Sequence, residues 1–204
     1  MHKVIKSLIS EDQTGYIKGR FIGTNIRLIQ DIIEYTESSN MKGIILQLDF
    51  QKAYGSLEWN FMFRVLKKFK FGTSFINWIR VLYKNPVSYV KNNGWMSSPL
   101  KLQRSVKQGC PISGLIFLLA VEVLSLQIKQ SEEIKGIEIM NEESNQATEI
   151  RMFIKSSTYI HSALNVNKFG LVSGLKLNLE KTEGILLGLS KNKQLAWKGF
   201  NSTR

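Results

Sequence analysis

Residues 43–59 read GIILQLDFQKAYGSLEW. The first eight form a near-continuous apolar run of strand length, the kind that is buried on both faces. The run is broken by one carboxylate, Asp49. Ser56, further on, is placed to cap a helix that carries Trp59, Met62, Val65, Leu66 and Phe69 at helical spacing, with Gly72 closing it. An acid at the mouth of a buried strand needs partners, because an unpaired carboxylate is costly away from water. The partners of Asp49 are therefore the first thing to look for.

Working outward, residues 24–37 space Ile26, Ile29, Ile32/Ile33 and Tyr35/Thr36 as one apolar helical face. A second helix after Gly72 turns Phe75, Ile76, Ile79, Leu82 and Tyr83 inward. The stretch 87-VSYVKNNGWM-96 predicts a hairpin around Asn93-Gly94. Pro111 and Ser113 open a strongly apolar helix to about Lys129. Strands are expected at 134–139 and at 149–154 on either side of a polar turn, then a helix over 162–173 ended by Gly174 in a left-handed cap. The short strands LKLN and GILLG follow. Mixed helices and a small antiparallel sheet make the fold class α+β rather than alternating βαβ.

The 204 residues fit one domain with a real core. The charge is +12, with 28 Lys plus Arg against 16 Asp plus Glu, an excess that favours polyanions, nucleic acid above all. No acidic residue lies between Glu58 and Glu122, yet Arg64, Lys67, Lys68, Lys70, Arg80, Lys84, Lys91, Lys101, Arg104 and Lys107 do, interleaved with aromatics. The plainer reading of that segment is amphipathic helices with a basic solvated face. A single cysteine, Cys110, excludes a disulfide framework or a Cys-rich zinc site, and two histidines leave little room for zinc hydrolase chemistry. The basic N-terminus has too short an apolar run for a secretion signal. The stretch 115–126 is broken by Glu122 and too short to span a bilayer, so no membrane is expected, and the interior of a cell is the expected location. Nothing separates nucleus from cytoplasm.

Four stretches together resemble the reverse transcriptases of LINE-type, non-LTR retrotransposons. The segment 13-QTGYIKGRFIGTNIRLIQDII-33 is similar to their fingers sequence Q-x-G-F-x-x-G-R-x-x-x-x-N. The segment 49-DFQKAYGSLEW-59 resembles motif A, and 104-RSVKQGCPISGLIF-117 resembles motif B. The segment 173-SGLKLNLEKTEGILLG-188 is similar to the S-G-L-x-L-N-x-x-K-[TS] stretch beyond the catalytic hairpin. They stand in the family's order and cover nearly the whole chain. The resemblance implies a right-hand polymerase made of partial fingers plus palm, with the thumb missing. Residues 1–200 would then be a single domain fragment and 201–204 a tail. About 1–42 would be a fingers remnant, and about 43–190 mostly palm with inserted helical fingers elements.

It also implies RNA template and DNA primer as partners, and nucleotidyl transfer with Mg²⁺ or Mn²⁺. Two such ions, roughly 3.5–4 Å apart, stabilise the attacking and leaving oxygens and are held by converging carboxylates. Motif A supplies one ligand, Asp49; two more should come from an A-D-D hairpin. The only segment in the right place is 150-IRMFIKSSTYI-160, where Ile154, Lys155 and Ser156 fall on A-D-D. The aspartates of the chain are Asp12, Asp31 and Asp49, so no other pair can substitute, and a lysine at a ligand position repels a cation. Gly55 replaces the second aspartate of motif A, and Ser105 a glycine of motif B. The metal site is expected to be incomplete and the polymerase inactive.

By the same resemblance Tyr54 takes the position that packs under the incoming sugar, and Gln108 and Gly109 form the turn that approaches the template base pair. Lys181 falls near the leaving pyrophosphate, and Lys18, Arg20, Arg104 and Lys107 are candidate nucleic-acid contacts. Plainer readings stand beside these: Tyr54 as a core aromatic, Gly109 as a loop glycine, Cys110 as a small buried residue, and the cations as solvated charges. Beside the inactive polymerase stand two other readings, a basic nucleic-acid-binding remnant and a relic without function.

Overall fold

A computed structural model describes residues 1–141, 146–150, 153–154, 159–188 and 194–196. The helices are α1 (His2–Leu8), α2 (Ile22–Ser38), α3 (Ala53–Ser56), α4 (Trp59–Lys68), α5 (Thr73–Leu82), α6 (Ser113–Gln130) and α7 (Tyr159–Ser173). A four-stranded antiparallel sheet is built from β1 (Gly43–Gln47), β8 (Phe153–Ile154), β9 (Glu183–Leu187) and β10 (Gln194–Ala196), in the order β10-β9-β1-β8. Three two-stranded ladders complete it. They are β2 (Val87–Ser88) with β5 (Leu100–Lys101), β3 (Lys91–Asn92) with β4 (Trp95–Met96), and β6 (Ile137–Asn141) with β7 (Gln146–Ile150). Mixed helices and small antiparallel sheets are the α+β architecture that the periodicities predict.

Two cores flank β1. The larger gathers Leu57, Met62, Leu66, Val106, Ile116, Leu119 and Leu175 from α4, α6, the segments leading into each and the loop after α7. Each aliphatic side chain so enclosed contributes about 1.5–3 kcal/mol relative to exposure. The smaller core sets Ile32 of α2 against Ile45, Ile137 and Leu187. The inward face of α2 is Leu28, Ile29, Ile32, Ile33 and Thr36, whereas Ile26, expected on it, is 54% exposed.

α6 is apolar on nearly every side, as a helix at the centre of a core must be. It is long and apolar enough to cross a membrane by length and composition, and it runs further than the 115–126 stretch suggests. Its apolar side chains are spent on the larger core, however. Glu122, also buried, accepts hydrogen bonds from the Ser10 backbone N–H (3.0 Å) and from the Ser10 hydroxyl. Lys129 of the same helix reaches Asp12 at 2.6 Å. These two contacts anchor the loop after α1 to the core helix.

Several local expectations need correction. Ser56 does not cap α4; it ends α3, its hydroxyl donates to the Gln51 carbonyl at 3.1 Å, and Glu58 is the N-cap residue. Gly72 does not close α4, which ends at Lys68; it caps the start of α5. Leu82, expected inward, is 48% exposed. The strand expected over 149–154 is split between β7, paired with β6, and β8, paired with β1. The Asn93-Gly94 turn is as expected, with φ of 46° and 83°, the paired positive values of a tight two-residue hairpin. Gly174 closes α7 at φ 80°, and a Cβ there would sit 2.2 Å from the Ser56 carbonyl oxygen.

Candidate functional site

Asp49 leaves the end of β1 and meets the segment of residues 173–182, where the strand expected over LKLN is instead a loop with a single bridge at Leu177. The Asn178 N–H donates to the Asp49 carbonyl at 2.8 Å, and the Gln51 N–H to the Lys176 carbonyl at 2.9 Å. Phe50 bridges Leu177 between them. The side chains join in: Asn178 Nδ2 donates to Asp49 Oδ2 at 3.2 Å, and the Asp49 N–H points to the buried Thr182 hydroxyl at 3.4 Å. The Asp49 carboxylate is thus partnered by the Asn178 amide and its backbone N–H by the Thr182 hydroxyl, both from the 173–188 motif. That segment was legible as a motif, but nothing in it marked Asn178 or Thr182 as neighbours of Asp49.

Of the A-D-D positions only Ile154 is described, at the end of β8. β8 pairs antiparallel with β1, Ile45 opposite Phe153 and Ile44 opposite Ile154. It therefore runs away from the end of β1 that leads to Asp49. Lys155 and Ser156 lie outside the described residues. Among the described residues no group of three or more His, Cys, Asp or Glu could hold a metal ion. One carboxylate already engaged by an amide does not fit a pair of divalent ions, which need several oxygen ligands each.

Motif A and motif B are stitched together next. The Val106 N–H donates to the Tyr54 carbonyl (2.7 Å), the Ser105 N–H to the Leu57 carbonyl (2.9 Å), and Trp59 Nε1 to the Ser105 carbonyl (2.8 Å). Ser105 adopts φ 110°, a region that favours glycine. The Tyr54 ring packs on Phe117 at 4.9 Å between centroids. Burial foremost, with a hydrogen bond to Tyr16 second, pushes the Tyr54 phenol up to about 12. Tyr54 is therefore a half-buried aromatic at the seam of both motifs. Gln108 and Gly109 form an exposed turn, Gly109 at φ 75°, and the Ser113 hydroxyl donates to the Lys107 carbonyl at 2.7 Å where α6 begins.

The candidate cations divide. Arg20 is a strut: its guanidinium donates to the carbonyls of Ser10 and Gln13, both at 2.6 Å, and more weakly to those of Ile9 and Lys6. These terminal guanidinium N–H groups, on a residue expected to contact phosphate, hold the loop after α1. Asn25 works alongside it, donating to the Asp12 carbonyl at 3.0 Å. Arg104 lies 3.6 Å from Glu58 and is largely exposed. Lys18, Lys107 and Lys181 are exposed. Beside Asn178 opens a cleft of about 690 Å³ lined by Gln51, Lys52, Arg104, Lys176 and Glu180 among others, which sequence reasoning missed because its residues come from three separate segments.

Residues 1–202 match the family "Reverse transcriptase (RNA-dependent DNA polymerase)". The chain belongs to that family. It is 24% identical over 197 residues to the "Transposon TX1 uncharacterized 149 kDa protein" of Xenopus laevis, covering 94% of this chain and 15% of the relative. It is 24% identical over 173 residues to the "Retrovirus-related Pol polyprotein from type-2 retrotransposable element R2DM" of Drosophila melanogaster, covering 83% of this chain and 16% of the relative. The chain thus spans about a sixth of the length of these relatives. Both are proteins of non-LTR retrotransposons, in agreement with a reverse transcriptase domain of the LINE type.

Proposed function

We propose that this reverse transcriptase domain holds nucleic acid but does not extend a primer. The observation that carries the reading is the state of Asp49: its carboxylate accepts from Asn178, and β8 leads away from it. In the right-hand reading, about 1–42 belong to the fingers and about 43–190 to the palm with its helical insert. Mg²⁺ or Mn²⁺, where the family's site is complete, would polarise the attacking hydroxyl and the leaving phosphate. The described residues do not fit that pair.

Binding is supported by the +12 charge and by the exposed Lys18, Lys107 and Lys181, which suit the RNA template and DNA primer implied by the family. Primer extension on an RNA template with Mg²⁺ or Mn²⁺ tests the reading, comparing the native chain with Lys155→Asp/Ser156→Asp. Both are expected to be silent, because β8, the described strand next to those positions, runs away from the end of β1 that leads to Asp49. Extension by the native chain would overturn the proposal, and extension by the restored chain alone would overturn the argument from β8.

A further inference from the structure

We propose that the nested hairpin of residues 87–101 is a docking surface for single-stranded nucleic acid, with Tyr89 stacking on a base and Lys91 and Lys101 meeting phosphates. The hairpin stands out from the core: Tyr89 is 50% exposed, Val90 58%, Trp95 81%, Met96 63% and Leu100 51%. Contiguous apolar exposure of this kind marks an interaction site. The hairpin is nonetheless well held. The Asn93-Gly94 turn fixes its tip, and the Ser97 N–H donates to the Val90 carbonyl and the Val90 N–H to the Ser97 hydroxyl, both at 2.9 Å.

Pairing sorts its side chains. Lys91 stands opposite Met96 and Val87 opposite Lys101. Tyr89 lies along the hairpin between the two ladders, one holding Lys101 and the other Lys91. Trp95, opposite Asn92, is nearer the tip. An exposed aromatic ring therefore sits along the hairpin between two exposed lysines. The sequence around it has no acidic residue from Glu58 to Glu122 to offset them. A ring between cations on a basic surface suits a strand whose bases are unpaired and whose backbone is anionic. In a duplex the base faces are already stacked, so Tyr89 selects for single strands.

The inference deepens the nucleic-acid-binding part of the preceding proposal but needs no chemistry at Asp49. Activity there would leave it standing, and loss of hairpin binding would leave the inactive-site reading standing. The test is fluorescence anisotropy of a short labelled oligouridylate, and of a duplex of the same length, titrated with the whole chain over a range of salt. Tyr89→Ala should weaken oligouridylate binding about tenfold and Tyr89→Phe should not, in line with one stacked base. Lys91→Ala/Lys101→Ala should lower the slope of log K against log salt by about 1.4, from about 0.7 per phosphate on a single strand. Duplex binding should hardly change. Lys67→Ala/Lys68→Ala on α4 is the control for diffuse charge. Unchanged affinity in Tyr89→Ala would overturn the proposal. So would an equal loss in the α4 pair, or a change of oligomeric state in Tyr89→Ala without a change in affinity.

Discussion

Ser105 offers the sharpest test of how motifs A and B are joined. It sits at φ 110°, and both sides of its peptide are committed, the N–H to the Leu57 carbonyl at 2.9 Å and the carbonyl to Trp59 Nε1 at 2.8 Å. The backbone cannot relax without losing one of these bonds. A side chain in such a conformation costs of order 1–3 kcal/mol. Ser105→Gly removes that cost. Against it stand about 0.5–1 kcal/mol for the greater freedom of glycine in the unfolded chain, and the weak bond from the Ser105 hydroxyl to the Val106 carbonyl at 3.0 Å. The net expectation is a gain of about 1 kcal/mol, which for a chain of this size raises Tm by roughly 2–4 °C. Ser105→Ala loses the hydroxyl and keeps the strain, so it should fall below the parent. Thermal unfolding followed by circular dichroism reads both variants. A Ser105→Gly protein that melts below the parent, level with Ser105→Ala, would refute the strain argument.

Two further outcomes are expected beside those given for primer extension and for the hairpin. Ser10→Ala leaves the buried Glu122 carboxylate without the hydroxyl that bonds it, so stability should fall by about 1.5–3 kcal/mol, read as a lower urea midpoint at unchanged slope. The Tyr54 phenol holds its proton more tightly folded than unfolded, so its share of stability is constant below pH 10 and is lost as pH rises towards about 12. Phenolate absorbance should show one tyrosine titrating late in the native chain and not in Tyr54→Phe. Tyr16→Phe should lower that late titration only part of the way, because burial is the larger cause.

What the sequence determined by itself is local. The helical face of α4 follows from spacing within a few turns, and the Asn93-Gly94 and Gly174 turns from positive φ that few other residues tolerate. Family membership was legible in the same way, from short motifs read in order. Other points were decided only when the chain returned on itself. Asn178 meets Asp49 across 129 positions, and Ser10 meets Glu122 across 112. The carbonyls that Arg20 meets, those of Ser10 and Gln13, come from the loop after α1. Ser56 ends α3 rather than capping α4, with the loop after α7 packed so close that a Cβ on Gly174 would meet its carbonyl. The direction of β8 is set by its pairing with β1, to which no residue in 150–160 points. Propensity acts over a few bonds, whereas the partners of a buried carboxylate are whichever polar groups the packed chain brings within hydrogen-bond reach.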